Sequence, residues 1–246
     1  MKQNIYDTKT FFTKYSQMNR SVKGLEGGGE WKTLEKMLPD FKGKRLLDLG
    51  CGFGWHCQYA IEHGAKSVVG VDISEKMLAV AKEKTSKEIQ YICKPIEDTE
   101  FTDHSFDVVI SSLTFHYLVS FDDIVKKIYS WLKDDGEFLF STEHPVFTAY
   151  GTQDWYRDSK GNILHFPVDN YFAEGKREAY FLGEKVIKYH KTLTTYLNTL
   201  LQNSFEITGI VEPQPSKEML ETVKGMKDEL RRPMMLIISA RKKIEK

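Results

Sequence analysis

Between residues 44 and 141 the chain alternates short apolar runs with stretches of helical spacing. Residues 44–49 (KRLLDL) form an apolar run that ends in glycines, and they predict a buried strand. A helix over 53–62 follows, stopped by Gly64. The β-branched run 67–73 (SVVGVDI) predicts a second strand, after which Ser74 caps a helix to about residue 84. Residues 89–93 and 106–111 predict the third and fourth strands. Ile124, Val125, Ile128 and Trp131–Leu132 give 121–132 a helical period, and Asp135–Gly136 turns the chain into a fifth strand over 137–141. Ahead of these elements, Gly27–Gly28–Gly29 reads as a hinge, followed by a short helix over 30–38 that Pro39 closes.

The rhythm breaks at Pro145. Residues 145–188 show no helical period, turn signals recur, and nine aromatics make the stretch richer in rings than the 13% of the whole chain. A helix resumes over 191–202, with His190 at its start, and 205–211 and 234–240 supply two last strands. Strand alternating with helix predicts an α/β fold, doubly wound around a mostly parallel sheet. The sheet's reversed strand is placed at 234–240, because the connection over 213–233 need not be a crossover helix. One domain is expected over 1–246, with 1–43 as an N-terminal helical lid and 145–188 as an inserted lid over a ligand. A homodimer interface is the alternative use of those aromatics.

Composition narrows the function classes. The 41% hydrophobic and 28% charged residues describe an ordinary globular chain. Thirty-five basic and thirty-five acidic residues cancel, which disfavours a nucleic-acid partner, since phosphate binding usually goes with a basic excess. Three cysteines without CxxC spacing read as reduced thiols of a cytoplasmic protein, and the histidines form no metal constellation with them. Residues 1–20 lack the apolar run of a secretory signal, and the apolar run 234–238 is too short to span a bilayer.

The chemistry concentrates at Asp48-Leu49-Gly50-Cys51-Gly52-Phe53-Gly54, where the first strand meets its helix. Glycines there allow a tight turn and close backbone approach to a ligand at a helix N-terminus. Asp72 closes the second strand, 22 residues beyond Gly50, where an acid can accept from both ribose hydroxyls of a nucleoside. The dinucleotide fingerprint GxGxxG fails in both registers, because Trp55 or Cys57 stands where the third small residue belongs. The pattern D-x-G-x-G-x-G instead resembles the first motif of class I S-adenosylmethionine-dependent methyltransferases, the small-molecule branch that includes quinone-biosynthesis enzymes. The resemblance spans about residues 44–144 and implies seven strands in the order 3-2-1-4-5-7-6.

It further implies S-adenosylmethionine as cofactor and a small-molecule methyl acceptor. Asp48, Gly50, Cys51, Gly52 and Gly54 would surround the methionine part, with Asp48 near its ammonium group. Asp72 would hold the ribose, Ile73 would pack on the adenine, and Ile96 and Glu97 would meet the adenine edge. Pro95 stands where the family often has an acid, leaving that edge to the backbone of Ile96 or Glu97. Ser111, Ser112 and Leu113 would floor the methionine, and Tyr15 would fold over the cofactor. Ser111-Ser112-Leu113-Thr114 lacks the Asn/Asp-Pro-Pro-aromatic motif of nucleobase-amino methyltransferases. His116 and His144 follow the fourth and fifth strands on the ligand edge, where each is either a general base for a hydroxyl acceptor or a loop anchor. Two other classes stand beside this reading: a non-catalytic binder of the same cofactor, and a nucleotide-dependent oxidoreductase.

Overall fold

The computed structural model describes residues 3–243. Residues 1–2 of the expected N-terminal lid, and 244–246, lie outside the described residues. Three short helices open the chain: α1 (Lys9–Ser16), α2 (Asn19–Val22) and α3 (Trp31–Met37). The alternating region follows as β1 (Arg45–Leu49), α4 (Trp55–Glu62), β2 (Ser67–Asp72), α5 (Glu75–Lys84), β3 (Gln90–Cys93), β4 (Phe106–Ser112), α6 (Phe121–Trp131) and β5 (Leu132–Glu143). The insertion contains α7 (Pro145–Thr148), β6 (Tyr156–Arg157), β7 (Ile163–His165), β8 (Gly175–Phe181) and β9 (Glu184–His190). The chain ends on α8 (Leu193–Gln202), β10 (Phe205–Val211), α9 (Lys217–Thr222) and β11 (Met235–Lys242).

Seven strands form one sheet in the order β3-β2-β1-β4-β5-β11-β10. This is the order 3-2-1-4-5-7-6, and β11 runs antiparallel to both its neighbours. β1 lies between β2 and β4, and all of its residues after Arg45 are buried, as expected of a central parallel strand covered on both faces. Strand alternation splits the core in two. Leu47, Leu49, Val109, Phe138 and Phe140 face α6 and α8. Leu46, Val68, Val108, Ile110 and Ile237 pack with Trp31, Leu34, Cys57 and Ala60 from α3 and α4 on the other side.

Local signals explain most boundaries. Ser74 accepts from Met77 N–H, Ser120 from Asp123 N–H and Thr192 from Thr195 N–H, so each hydroxyl satisfies a free donor at a helix start. Gly54 has φ +75, so α4 starts at Trp55 and not at residue 53. The Asp135–Gly136 turn exists, but as a bulge inside β5: Phe106 pairs with Leu132 and Val108 already with Glu137. His190 ends β9 instead of starting a helix. Its Nδ1 lies 2.7 Å from Thr148 Oγ1 and its Nε2 2.8 Å from Tyr171 O, which anchors the insertion. Gly27 is a packing site and not a hinge, since a Cβ there would stand 2.2 Å from Asn19 O.

The insertion is more regular than its sequence. β8 and β9 pair antiparallel through Leu182 (φ 54) and Gly183 (φ 78), two consecutive left-handed residues that match the twist of a tight hairpin.

Phe140 is fully buried among the rings of Phe115, Phe121, Phe138 and Tyr196. Phe140→Ala should lower the unfolding free energy by about 3–5 kcal/mol, measured by urea denaturation. Exposed Val22→Ala should change it by less than about 0.5 kcal/mol.

Candidate cofactor and acceptor site

The glycine loop leaves β1 at the C-terminal edge of the sheet, with Gly50, Gly52 and Gly54 all at positive φ. Two of them also lack room for a side chain. A Cβ on Gly50 would stand 2.1 Å from Thr114 Oγ1, and one on Gly54 2.1 Å from Tyr91 Oη. Gly52 N–H donates to Asp72 Oδ2 at 2.8 Å, and Ser74 N–H donates to Asp72 Oδ1 at 2.9 Å. These bonds tie the loop to the end of β2 and aim one carboxylate along the sheet edge. Burial pushes the Asp72 carboxyl above its ordinary range, while the two backbone donors pull it down.

A cavity of about 1290 Å³ opens over this edge. It exceeds the ~300–1,000 Å³ common for one small ligand, so it has room for two. Tyr15, Gly50, Gly52, Asp72, Ile73, Ile96, Glu97, Ser112, Leu113 and His116 all line it. Cys51 lines a smaller pocket beside Arg20 and Gly52.

Besides Cys51, four expected residues do not line the cavity. Gly54 is spent on packing against Tyr91. Ser111 Oγ donates to Leu49 O at 2.7 Å and stitches β4 to β1. Asp48 sits behind the loop, accepting from Cys57 Sγ at 3.3 Å, while its Oδ1 has no partner among the described residues. Burial pushes Asp48 up to about 7 against the Cys57 hydrogen bond, with Asp72 adding to the rise.

The fourth is His144, and the general-base reading for it is corrected. Its Nδ1 accepts from Val146 N–H at 3.0 Å, which caps α7, and its Nε2 faces Glu212 Oε1 at 2.8 Å. His144 is a loop anchor. His116 does reach the cavity, but its Nδ1 is directed at Glu143 N–H and Thr142 Oγ1, both 3.4 Å away. Burial pushes its pKa down to about 4, against the pull of Glu143. It is a neutral ring with its lone pair turned into β5.

The structure adds residues that sequence reasoning missed. Arg20 from α2 pairs with Glu30, whose Oε2 is buried without a partner among the described residues, and both line the cavity. Tyr6 and Tyr117 meet at 3.1 Å between hydroxyls. At the far side, Lys188 Nζ donates to Glu143 Oε1 at 2.5 Å and to Gln153 Oε1 at 2.6 Å, and Gln153 Nε2 donates to Glu143 Oε2 at 2.6 Å. Burial raises the Glu143 carboxyl, but Lys188, His116 and the hydrogen bonds outweigh it and hold the group below its usual range. Val186, Lys188 and His190 alternate on the buried face of β9, an unusual place for a lysine, and that alternation is readable only once β9 is known to be a strand.

The N-terminal segment packs against the end of β2 and the start of α5. Asp7 accepts from Ser74 Oγ at 2.5 Å, Lys76 N–H at 3.1 Å and Glu75 N–H at 3.2 Å, so it caps α5 from outside. Asn4 Nδ2 donates to Asp7 Oδ2 and to Ile73 O. Among the described residues no helix is long and apolar enough to cross a membrane, and no cluster of three or more His, Cys, Asp or Glu could hold a metal.

A family profile described as a methyltransferase domain matches residues 47–140. The chain is similar to a solved structure from Listeria monocytogenes described as an S-adenosylmethionine-dependent methyltransferase. Identity is 58% and the TM-score 0.85, over 90% of this chain and all of that one. A second solved S-adenosylmethionine-dependent methyltransferase, from Mesorhizobium loti, is 39% identical with TM-score 0.82, over 89% of this chain and all of that one. Over 164 residues the chain is 33% identical to a ubiquinone biosynthesis O-methyltransferase of Neisseria meningitidis serogroup C, covering 54% of this chain and 69% of that protein.

Docking of residues 3–8 should depend on Asp7. Burial raises its pKa, but the bonds from Ser74, Lys76, Asn4 and Glu75 outweigh that and leave it lowered. Its contribution is therefore complete above the unfolded value of about 4 and is lost as pH falls through the lower folded value. Hydrogen exchange should show faster opening of residues 3–8 in Asp7→Asn at neutral pH, and in the wild type only under acid. Equal protection in the variant would rule out the cap as the latch.

Proposed function

This chain belongs to the S-adenosylmethionine-dependent methyltransferases, and we propose that it methylates a small molecule bound beneath the insertion. The observation that carries the reading is one continuous cavity joining the Gly50–Asp72 edge to Phe147, Phe181 and Lys188 of the insertion. The cofactor side fits the group that the family requires. A buried carboxylate oxygen that lines the cavity there, Glu30 Oε2, lacks a partner among the described residues. Arg20 stands beside Glu30, so opposite charges are paired where an amino acid zwitterion would present its own carboxylate and ammonium.

When bound, S-adenosylmethionine supplies an electrophilic methyl group on a positively charged sulfur. The chain's own residues would do the rest by binding and alignment. Asp72 would accept from the ribose hydroxyls. Ile73 and Ile96 would sandwich the adenine, with the backbone of Ile96 or Glu97 at its edge. The Gly50 and Gly52 backbone would lie against the methionine part, floored by Ser112 and Leu113, with Arg20 on its carboxylate. Tyr6, Tyr15 and Tyr117 line the same cavity and would exclude water. The insertion would serve as the acceptor's lid, and the balanced net charge supports a small acceptor over a nucleic acid.

Calorimetry should show binding of S-adenosylmethionine or S-adenosylhomocysteine and none of NAD. Asp72→Ala should weaken the former by about tenfold or more, because hydrogen bonds to a charged group are worth about 1.5–3 kcal/mol each. Unchanged affinity in that variant would sink the assignment.

A further inference from the structure

We propose that Lys188 anchors the acceptor, and that the acceptor is an acidic oxygen nucleophile on an apolar body: a phenol, enol or carboxylic acid methylated as its anion. This deepens the small-molecule reading above and rests on it. The proposal starts from which groups at the acceptor end can still act. β5 ends at Glu143, two residues beyond Ser141, which pairs with Ser112 on the cofactor floor. Around Glu143 stand His116, Gln153 and Lys188.

Among the described residues, none of the groups around Glu143 is a free proton acceptor of ordinary strength. His144 is committed to Val146 and Glu212, and His116 turns its lone pair toward Glu143 N–H. Both Glu143 oxygens already accept, from Lys188 and from Gln153. Burial and these partners also leave His116 neutral and Glu143 ionised near neutral pH. A hydroxyl of alcohol acidity would find no base here. An oxygen that ionises readily needs none.

Lys188 is the complementary group. Its side chain is only 4% exposed, it lines the cavity, and its ammonium uses two of its three N–H bonds on Glu143 and Gln153. The third has no acceptor among the described residues. A buried ammonium with a spare donor favours an anionic oxygen, through a charge-assisted hydrogen bond. Phe147, Phe181, Met219, Met234 and Met235 supply apolar and adaptable walls for the body that carries it.

The step balances without a general base. The acidic proton is lost to solvent as the acceptor binds. The oxyanion's electron pair then forms the C–O bond as the sulfur–methyl bond breaks, and that bond's pair stays on sulfur. The anion becomes a methyl ether or ester, and the sulfonium becomes a neutral thioether.

The test uses the full chain saturated with S-adenosylhomocysteine, and para-nitrophenol, benzoate and benzylamine as probes. Para-nitrophenol should bind and gain the yellow nitrophenolate absorbance at a pH below its free pKa. Benzoate should compete, and benzylamine should not. Lys188→Met should weaken both acids by about tenfold or more and abolish the colour gain, while Lys188→Arg keeps part of both. S-adenosylhomocysteine affinity should be unchanged in each variant, which shows that they fold. Binding of benzylamine as tight as that of the acids, failure of both acids to bind, binding without ionisation, or indifference to Lys188→Met overturns the proposal. Failure of S-adenosylhomocysteine to bind the wild type would instead remove the reading on which it rests.

Discussion

The bond from Gly52 N–H to Asp72 Oδ2 joins the glycine loop after β1 to the end of β2 at the edge of the cavity. It forms only because β1 and β2 are parallel neighbours whose ends coincide, with Leu49 beside Val71 and the glycine loop turning back over Asp72. Three positive-φ glycines make that turn possible. A side chain at Gly50 or Gly54 would meet Thr114 or Tyr91, so the loop is held by its neighbours as well as by its own torsions. The acid is thereby fixed before any ligand arrives, and rigid placement is what a reaction governed by alignment requires.

The opposite end of the cavity is organised by charge. Glu143 belongs to the sheet, while Gln153 and Lys188 belong to the insertion, so their mutual bonds tie a loop-rich segment to the core. Removing one partner of such a buried pair leaves an uncompensated charge at a cost of about 3–5 kcal/mol. Aromatic packing supports the same attachment: the Arg232 guanidinium lies 4.6 Å from the Phe147 ring centroid and 4.8 Å from that of Phe166. The N-terminal segment is fastened differently, by the Asp7 carboxylate on the start of α5 and by Tyr6 against Tyr117. The two flanking segments thus meet one cavity from different sides.

Local pattern was a good guide wherever local physics decides the outcome. The buried strands, the Ser74 cap, the glycine loop and Asp72 depend on side-chain type and spacing, and these are visible in one dimension. The β8–β9 hairpin was invisible for a related reason. Its turn is Leu182-Gly183, and Lys and Glu on its exposed face dilute the apolar alternation. Missing that hairpin concealed Lys188, whose orientation is meaningful only once β9 is known to be a strand.

The sequence by itself determined the parallel sheet, its reversed last strand, the glycine loop and the acid that closes β2, because hydrophobic period, glycine torsions and an acid at a strand end are properties of short segments. The tertiary structure decided which polar groups face the cavity. His144 and Glu143 are adjacent in the chain, yet one caps α7 and the other enters the site. That choice depends on where α7, Glu212 and Lys188 lie around the end of β5. Partners so distant in sequence are brought together by the packing of the whole chain, and no local rule can assign them.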